Sequence, residues 1–160
     1  MDNNHESGQK ETTVEEKCEN CICKVLSDLL DVQKNKNNIK ERECSCTDSI
    51  HPKPVQKKEV IPFILQTPYG HPFFTWGNIG EDDCFTTVFF TVLKVDCKKN
   101  CALLRLMKPN ISMFDPETDC IESTKICEVK HVVPTKECIL VNLNCYNAVK
   151  LTSPEFVKDW

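Results

Sequence analysis

Cys84 to Pro109 constrains this 160-residue chain more than any other stretch. From Phe85 to Val95 it is dense in β-branched and aromatic side chains and holds neither Gly nor Pro. Such side chains fit a pleated surface and lose rotamer freedom in a helix. Alternation places Phe85, Phe89, Leu93 and Val95 on one face and Val88, Phe90 and Val92 on the other. Both faces are apolar, so the strand belongs at the centre of a sheet. Lys98-Lys99-Asn100 then forms a short polar turn, with Asn able to take the left-handed position, and Ala102 to Met107 runs back. The element is a β-hairpin.

Cys97 and Cys101 flank that turn. Hairpin pairing sets such residues opposite one another at about 4.5–5.5 Å between Cα atoms, a separation that a disulfide accepts. An intrahairpin Cys97–Cys101 bridge and a reduced pair at a strand end both fit this spacing. A loop this short constrains the unfolded chain little, so a bridge here serves local rigidity or thiol exchange.

Twelve cysteines in 160 residues set the second constraint. Met1 to Lys17 is polar and charged, without the apolar core of a signal peptide, so the chain is expected to be made and kept in the cytoplasm. A cytosolic chain so rich in cysteine binds metal, does redox chemistry, or is made reduced and oxidised later. A net charge of −4 offers no basic field to nucleic acid, and no apolar run has the length to span a membrane.

Residues 1–12 read as a disordered tail. Residues 13–32 read as an amphipathic helix, with Thr13 and Glu16 in the form of a capping box. Cys18, Cys21, Ile22, Val25, Leu29 and Val32 recur along one face of it. That face directs Cys18 and Cys21 inward and Cys23 outward. Residues 33–59 form a polar linker that carries Cys44 and Cys46.

Residues 60–160 form a β domain. Val60 to Leu65 and Phe73 to Trp76 read as short strands, and Ile126 to Val133 as a strand carrying Cys127. Cys138 to Tyr146 alternates, with Ile139, Val141, Leu143 and Cys145 on the buried face and Leu140, Asn142 and Asn144 on the wet one. Ala148 to Leu151 either extends this strand or pairs back. Ser153 caps a short terminal helix with Pro154 at its first position. The fold class is mainly β: an antiparallel sandwich or barrel-like domain preceded by one N-terminal amphipathic helix.

Cys18-x-x-Cys21-x-Cys23, followed by Cys44-x-Cys46, offers thiolates for zinc or copper. Zinc knuckles use matched C-x-x-C pairs, whereas the second pair here has one intervening residue. Burial as small hydrophobes covers Cys18 and Cys21 and leaves Cys23, Cys44 and Cys46 to explain. There is no Gly-rich phosphate loop and no nucleophile motif, and none of the four histidines stands beside a cysteine in a recognisable arrangement. His71 with Glu81, Asp82 and Asp83 reads as solvated loop, not as a catalytic or calcium site. No catalytic residue and no cofactor is expected.

Several short elements recur in a fixed order. They are Ile61-Pro62-Phe63, Trp76-Gly77-Asn78-Ile79-Gly80-Glu81, Cys84-Phe85-Thr86-Thr87-Val88-Phe89-Phe90 and Cys101-Ala102-Leu103. Cys127-Glu128-Val129, Cys138-Ile139-x-Val141-x-Leu143-x-Cys145 and Pro154 follow. From Val60 to about Val157 this set resembles the CotY/CotZ/ExsY family of cysteine-rich spore coat and exosporium proteins. The chain departs from the pattern at Asn147 and Leu151, where members carry cysteine, and at Leu140, Asn142 and Asn144, where they carry acidic residues.

The resemblance implies a structural protein, not an enzyme, that self-assembles into a two-dimensional hexagonal lattice locked by disulfides. Its implied partners are copies of itself, paralogues and other spore coat proteins, with no nucleic acid and no membrane. It implies synthesis in the mother-cell cytoplasm and deposition on the spore surface, in outer coat, crust or exosporium. On this reading Cys23, Cys44, Cys46 and Cys120 are candidates for bonds between subunits, and Cys97 with Cys101 for the intrahairpin bond. Cys18, Cys21, Cys84, Cys127, Cys138 and Cys145 are mainly packing residues. The alternative is a thiolate metal-binding protein in which Cys18, Cys21, Cys23, Cys44 and Cys46 hold zinc or copper.

Overall fold

The structure, a computed structural model, describes residues 20–37 and 60–158. Helix α1 (Cys21–Asn37) precedes strands β1 (Phe63–Gln66), β2 (Thr75–Gly77), β3 (Phe85–Thr87), β4 (Phe89–Asp96) and β5 (Cys101–Pro109). Then come β6 (Phe114–Asp115), β7 (Cys120–Ile121), β8 (Val132–Asn142) and β9 (Ala148–Leu151). One antiparallel sheet has the order β8-β5-β4-β1-β9, while β2–β3 and β6–β7 are separate two-stranded units. Among the described residues the protein is mainly β with one N-terminal α-helix, as its sequence predicts. It is sandwich-like and open, because β8 and β9 end the sheet instead of pairing with each other.

β4 and β5 form the expected hairpin, and its register decides the fate of two cysteines. Asp96 pairs with Cys101, leaving Cys97 to Asn100 as the turn. Asp96 Oδ1 accepts the backbone N–H groups of Lys98 at 3.0 Å and Lys99 at 3.2 Å, and Asn100 takes a φ of +51°. The Cys97–Cys101 bridge, one of the two readings of this pair, is corrected, because Cys97 bonds to Cys23 and Cys101 stays a free thiol. Cys101 faces Asp96 across the hairpin, and Cys97 stands within the turn.

A bulge between Val92 and Lys94 shifts the alternation by one residue. Val95 consequently joins Phe90 and Val92 on the helix-covered face instead of sharing a face with Phe89. The strand read as continuous from Phe85 also breaks at Val88. Thr87 Oγ1 accepts the Phe89 N–H at 3.0 Å and donates to the Met107 carbonyl at 2.5 Å, which bends the chain. β3 pairs with β2 instead, setting Phe85 opposite Gly77. The Phe85 ring lies against that glycine so closely that a Cβ at position 77 would collide with it.

The sheet is covered on both faces. On one, Ile22, Cys23, Leu26 and Leu29 of α1 pack on Phe63, Leu65, Phe90, Val92, Leu104, Leu106, Val141 and Leu143. On the other, Ile64, Phe89, Met107 and Val132 are covered by Met113 and Val129 of the β5–β8 connection and by Val157. Ser153 caps the terminal 3-10 turn at Pro154–Phe156, as expected, and Phe156 lies edge-on to Phe89 at 5.3 Å. Arg105 is buried, with Nη1 donating to the Thr135 carbonyl at 2.7 Å.

Asn20 caps α1, its Oδ1 accepting from Ile22 N at 3.0 Å and Cys23 N at 3.2 Å. Its Nδ2 donates to the Leu143 carbonyl at 3.0 Å, fixing the helix start to the end of β8. Thr13 and Glu16 lie outside the described residues, and α1 continues through Gln33 to Asn37, residues read from sequence as linker. Its buried stripe is also rotated. Ile22, Leu26 and Leu29 lie at its centre with Cys23 and Leu30 beside them, while Cys21 and Val32 are exposed. The shift equals about one residue, or 100° of helix.

Candidate functional site

Cysteine sulfurs dominate the reactive chemistry of this surface, and the elements just described fix where each one stands. Cys23, in the first turn of α1, is 1% exposed and joined to Cys97 by a disulfide with Cα atoms 5.7 Å apart. Cys97 is at the surface, in the β4–β5 turn. This pairing corrects two expectations: Cys23 points inward, and it bonds within the chain instead of between subunits. The bond ties residues 74 positions apart, pinning the helix to the hairpin.

The proposed thiolate metal set loses Cys23 for the same reason. Residues two apart on a helix also point to different sides, so Cys21 and Cys23 cannot face one ion from α1. Cys18, Cys44 and Cys46 lie outside the described residues. Among the described residues, no three His, Cys, Asp or Glu side chains group closely enough to hold a metal.

Cys21, Cys84, Cys120, Cys127 and Cys145 are exposed thiols, and Cys101 is a half-buried one. Packing roles for Cys21, Cys84, Cys127 and Cys145 are therefore corrected, each for a local reason. Cys21 is left outside by the rotated stripe of α1. Cys84 precedes β3 in the turn that joins it to β2. Cys127 lies in a 3-10 helix, Ser123–Glu128, where a strand was expected. For Cys145, the Asn142 side chain accepts the Asn144 N–H at 3.0 Å and curls residues 143–145 into a 3-10 turn. The alternation of β8 thus stops at Leu143. Cys138, also read as packing, is half-buried on β8 opposite Arg105.

Apart from Cys138, in the middle of β8, these thiols divide between the two ends of the sheet. At one end the β4–β5 turn, the start of α1 and residues 143–145 meet. Asn100 Nδ2 donates to Asn144 Oδ1 at 3.1 Å, and the Asn100 carbonyl accepts from Leu143 N at 2.7 Å. Cys21, Cys101 and Cys145 are carried there, around the Cys23–Cys97 bond. At the other end β5 leaves and β8 returns through a connection holding Cys120 and Cys127. Cys84 joins that end through a groove of about 530 Å³ that it lines with Trp76, Phe85, Pro109 and Phe114. Lys108 Nζ sits over the Phe85 ring there, 5.6 Å from its centroid.

Tyr146 follows Cys145 and meets Phe73 edge-on at 5.3 Å. Burial first, and the Cys145 charge second, push its phenol from 10 up to about 12. The unfolded tyrosine ionises near 10 while the folded one keeps its proton, so its contribution to stability is full below pH 10 and is lost between 10 and 12. In a Tyr69→Phe protein, the remaining phenolate absorbance should rise with a midpoint near 12. A midpoint at 10 in the folded protein would contradict this packing of Tyr146.

Residues 8–153 match the family described as Spore coat protein Z. A protein named Spore coat protein Z from Bacillus subtilis (strain 168) is 29% identical over 150 residues, covering 89% of this chain and 95% of that protein. No solved structure matches the chain.

Proposed function

This chain belongs to the Spore coat protein Z family, and from that premise we propose that it is a structural protein of the spore surface whose copies assemble into a disulfide-crosslinked sheet. The observation that carries the assembly reading is the set of exposed thiols at both ends of one sheet. A subunit with crosslinking groups at a single end stops at a dimer. One with groups at two ends extends, and a further contact between the resulting chains or rings makes a layer. Cys120 stays a candidate for bonds between subunits, as do Cys44 and Cys46, and the exposed Cys21, Cys84, Cys127 and Cys145 join them. Other coat proteins presenting thiols are the expected partners at the layer's surfaces.

Neighbouring thiols couple when an oxidant takes up their two electrons, and a subunit reduced during assembly can correct wrong contacts first. The test is to assemble purified chain under reductant, oxidise it, and image it by negative-stain electron microscopy. Boiled without reductant, the oxidised material should run as a ladder of covalent multiples. With reductant it should collapse to the 18.4 kDa subunit. Oxidised protein that stays a single monomeric species would overturn the reading.

A further inference from the structure

We propose that the copies join head to tail, the turn end of one sheet docking on the β5–β8 connection of the next, with opposite charge guiding opposite thiols together. This rests on the disulfide-crosslinked assembly above and gives it a direction. The two ends are separated by the nine residues of β5, roughly 25 Å of strand. No single subunit can bring their thiols together.

The charges of the two ends differ in sign among the described residues. At the turn end, Lys98 and Lys99 project from the β4–β5 turn and Lys24 from the start of α1, all exposed. Asp96, the carboxylate there, is half-buried and occupied by the backbone N–H groups of Lys98 and Lys99. Residues 143–147 carry no charge. At the far end, Asp115, Glu117, Asp119, Glu122, Glu128 and Glu155 outnumber Lys108, Lys125, Lys130 and Lys158. Lys125 is occupied, its Nζ donating to the Phe114 carbonyl at 2.6 Å. Glu81, Asp82 and Asp83, all exposed, precede Cys84 on that side.

Cys120 therefore follows Asp119 and lies opposite Asp115 across β6–β7, and Cys101 lies beside Lys98 and Lys99. Two acidic ends repel, as do two basic ones, so like ends do not meet. Unlike ends attract over about a Debye length, roughly 8 Å at physiological salt. The contact is heterologous, which makes chains or closed rings instead of closed pairs.

The covalent step balances with a small-molecule disulfide as oxidant. A thiolate at the acidic end attacks it, forming a mixed disulfide and releasing one small thiol. A thiolate at the basic end of the next copy then attacks the protein sulfur, forming the intersubunit bond and releasing the second small thiol. The two protein thiols lose two electrons, which the small disulfide gains.

The experiment uses the full chain with Cys18, Cys44, Cys46 and the mid-strand Cys138 replaced by Ser, oxidised with glutathione disulfide. One variant adds Cys84→Ser, Cys120→Ser and Cys127→Ser, keeping only the turn-end thiols, and a second adds Cys21→Ser, Cys101→Ser and Cys145→Ser. The background protein should form a ladder. Each variant alone should stay monomeric, and their mixture should give a dimer and nothing larger. Lys98→Glu with Lys99→Glu should slow dimer formation in the mixture at least about tenfold, the range of electrostatic steering. Glu117→Lys with Asp119→Lys on the other partner should restore it.

Dimers from either variant alone, at the rate of the mixture, would overturn the head-to-tail arrangement and leave disulfide assembly standing. A ladder from the unsubstituted chain but none from the background would also overturn it, moving the crosslinks to Cys18, Cys44, Cys46 or Cys138. No ladder from the unsubstituted chain would overturn the assembly reading itself.

Discussion

Replacing Cys97 with Ser should lower the stability of the oxidised protein by about 4 kcal/mol, the loop-closure value for a disulfide spanning a loop of this size. The loop it closes runs 74 residues, from the first turn of α1 to the β4–β5 turn. Cys97 is the side to change because it is exposed, and a lone Cys23 thiol stays compatible with its apolar surroundings. Cys23→Ser should cost more, because it also buries a hydroxyl among Leu26, Leu104 and their neighbours. In urea the loss corresponds to a midpoint lower by about 2 M at a typical slope of roughly 2 kcal/mol per molar. Under strong reductant the parent and Cys97→Ser should unfold at one midpoint. Equal midpoints without reductant would mean that the bond does not form in solution.

Phe90→Ala should cost about 4 kcal/mol, within the range for truncating a fully buried phenylalanine. Phe90 is 0% exposed on the central strand, faces Phe63 and Leu106 across its two neighbours, and stacks on Phe73 at 5.5 Å. Few positions touch so many elements. Its loss leaves a cavity under α1 that the paired backbones of β1, β4 and β5 cannot close. Phe74, 38% exposed and in contact with Trp76, makes a control: its replacement by Ala should cost about 1 kcal/mol or less. Chemical denaturation of the two variants side by side checks the contrast, and equal losses would contradict this core.

The hairpin was legible because its signals are local. β-branched density names the strands, and Asn100 supplies the positive φ of the turn. The Ser153 cap was legible for the same reason. What the sequence hid depends on competition between distant groups. The helix stripe could be drawn through Cys21 and Val32 or through Leu26 and Leu30. The choice belongs to the sheet, which buries the leucines. That one rotation turned Cys23 inward and made it a partner for Cys97. The break at Val88 needs Thr87 to find the Met107 carbonyl, twenty residues away, so no local pattern announces it. Cys145 continued an alternation that ends where the Asn142 side chain accepts the Asn144 N–H. The surface thiols were therefore countable from sequence, but which of them face water was not.

β1 is held by four residue pairs to β9 and by a single registered pair, Phe63 with Phe90, to β4. Its main partner is thus the last strand of the sheet to be synthesised. Contacts so remote in sequence form late, because loop-closure entropy must be met before they contribute. The β4–β5–β8 meander can form as the chain emerges. β1 must wait for β9, and α1 must wait for Val141 and Leu143 at the end of β8. Pulse-labelled hydrogen exchange during refolding should protect β4 and β5 amides before those of β1, and the reverse order would contradict this sequence of events. Cys97 is in place early, while Cys23 reaches it only with the docked helix. Closure of their bond therefore records that the whole sheet, from its first strand to its last, has been completed.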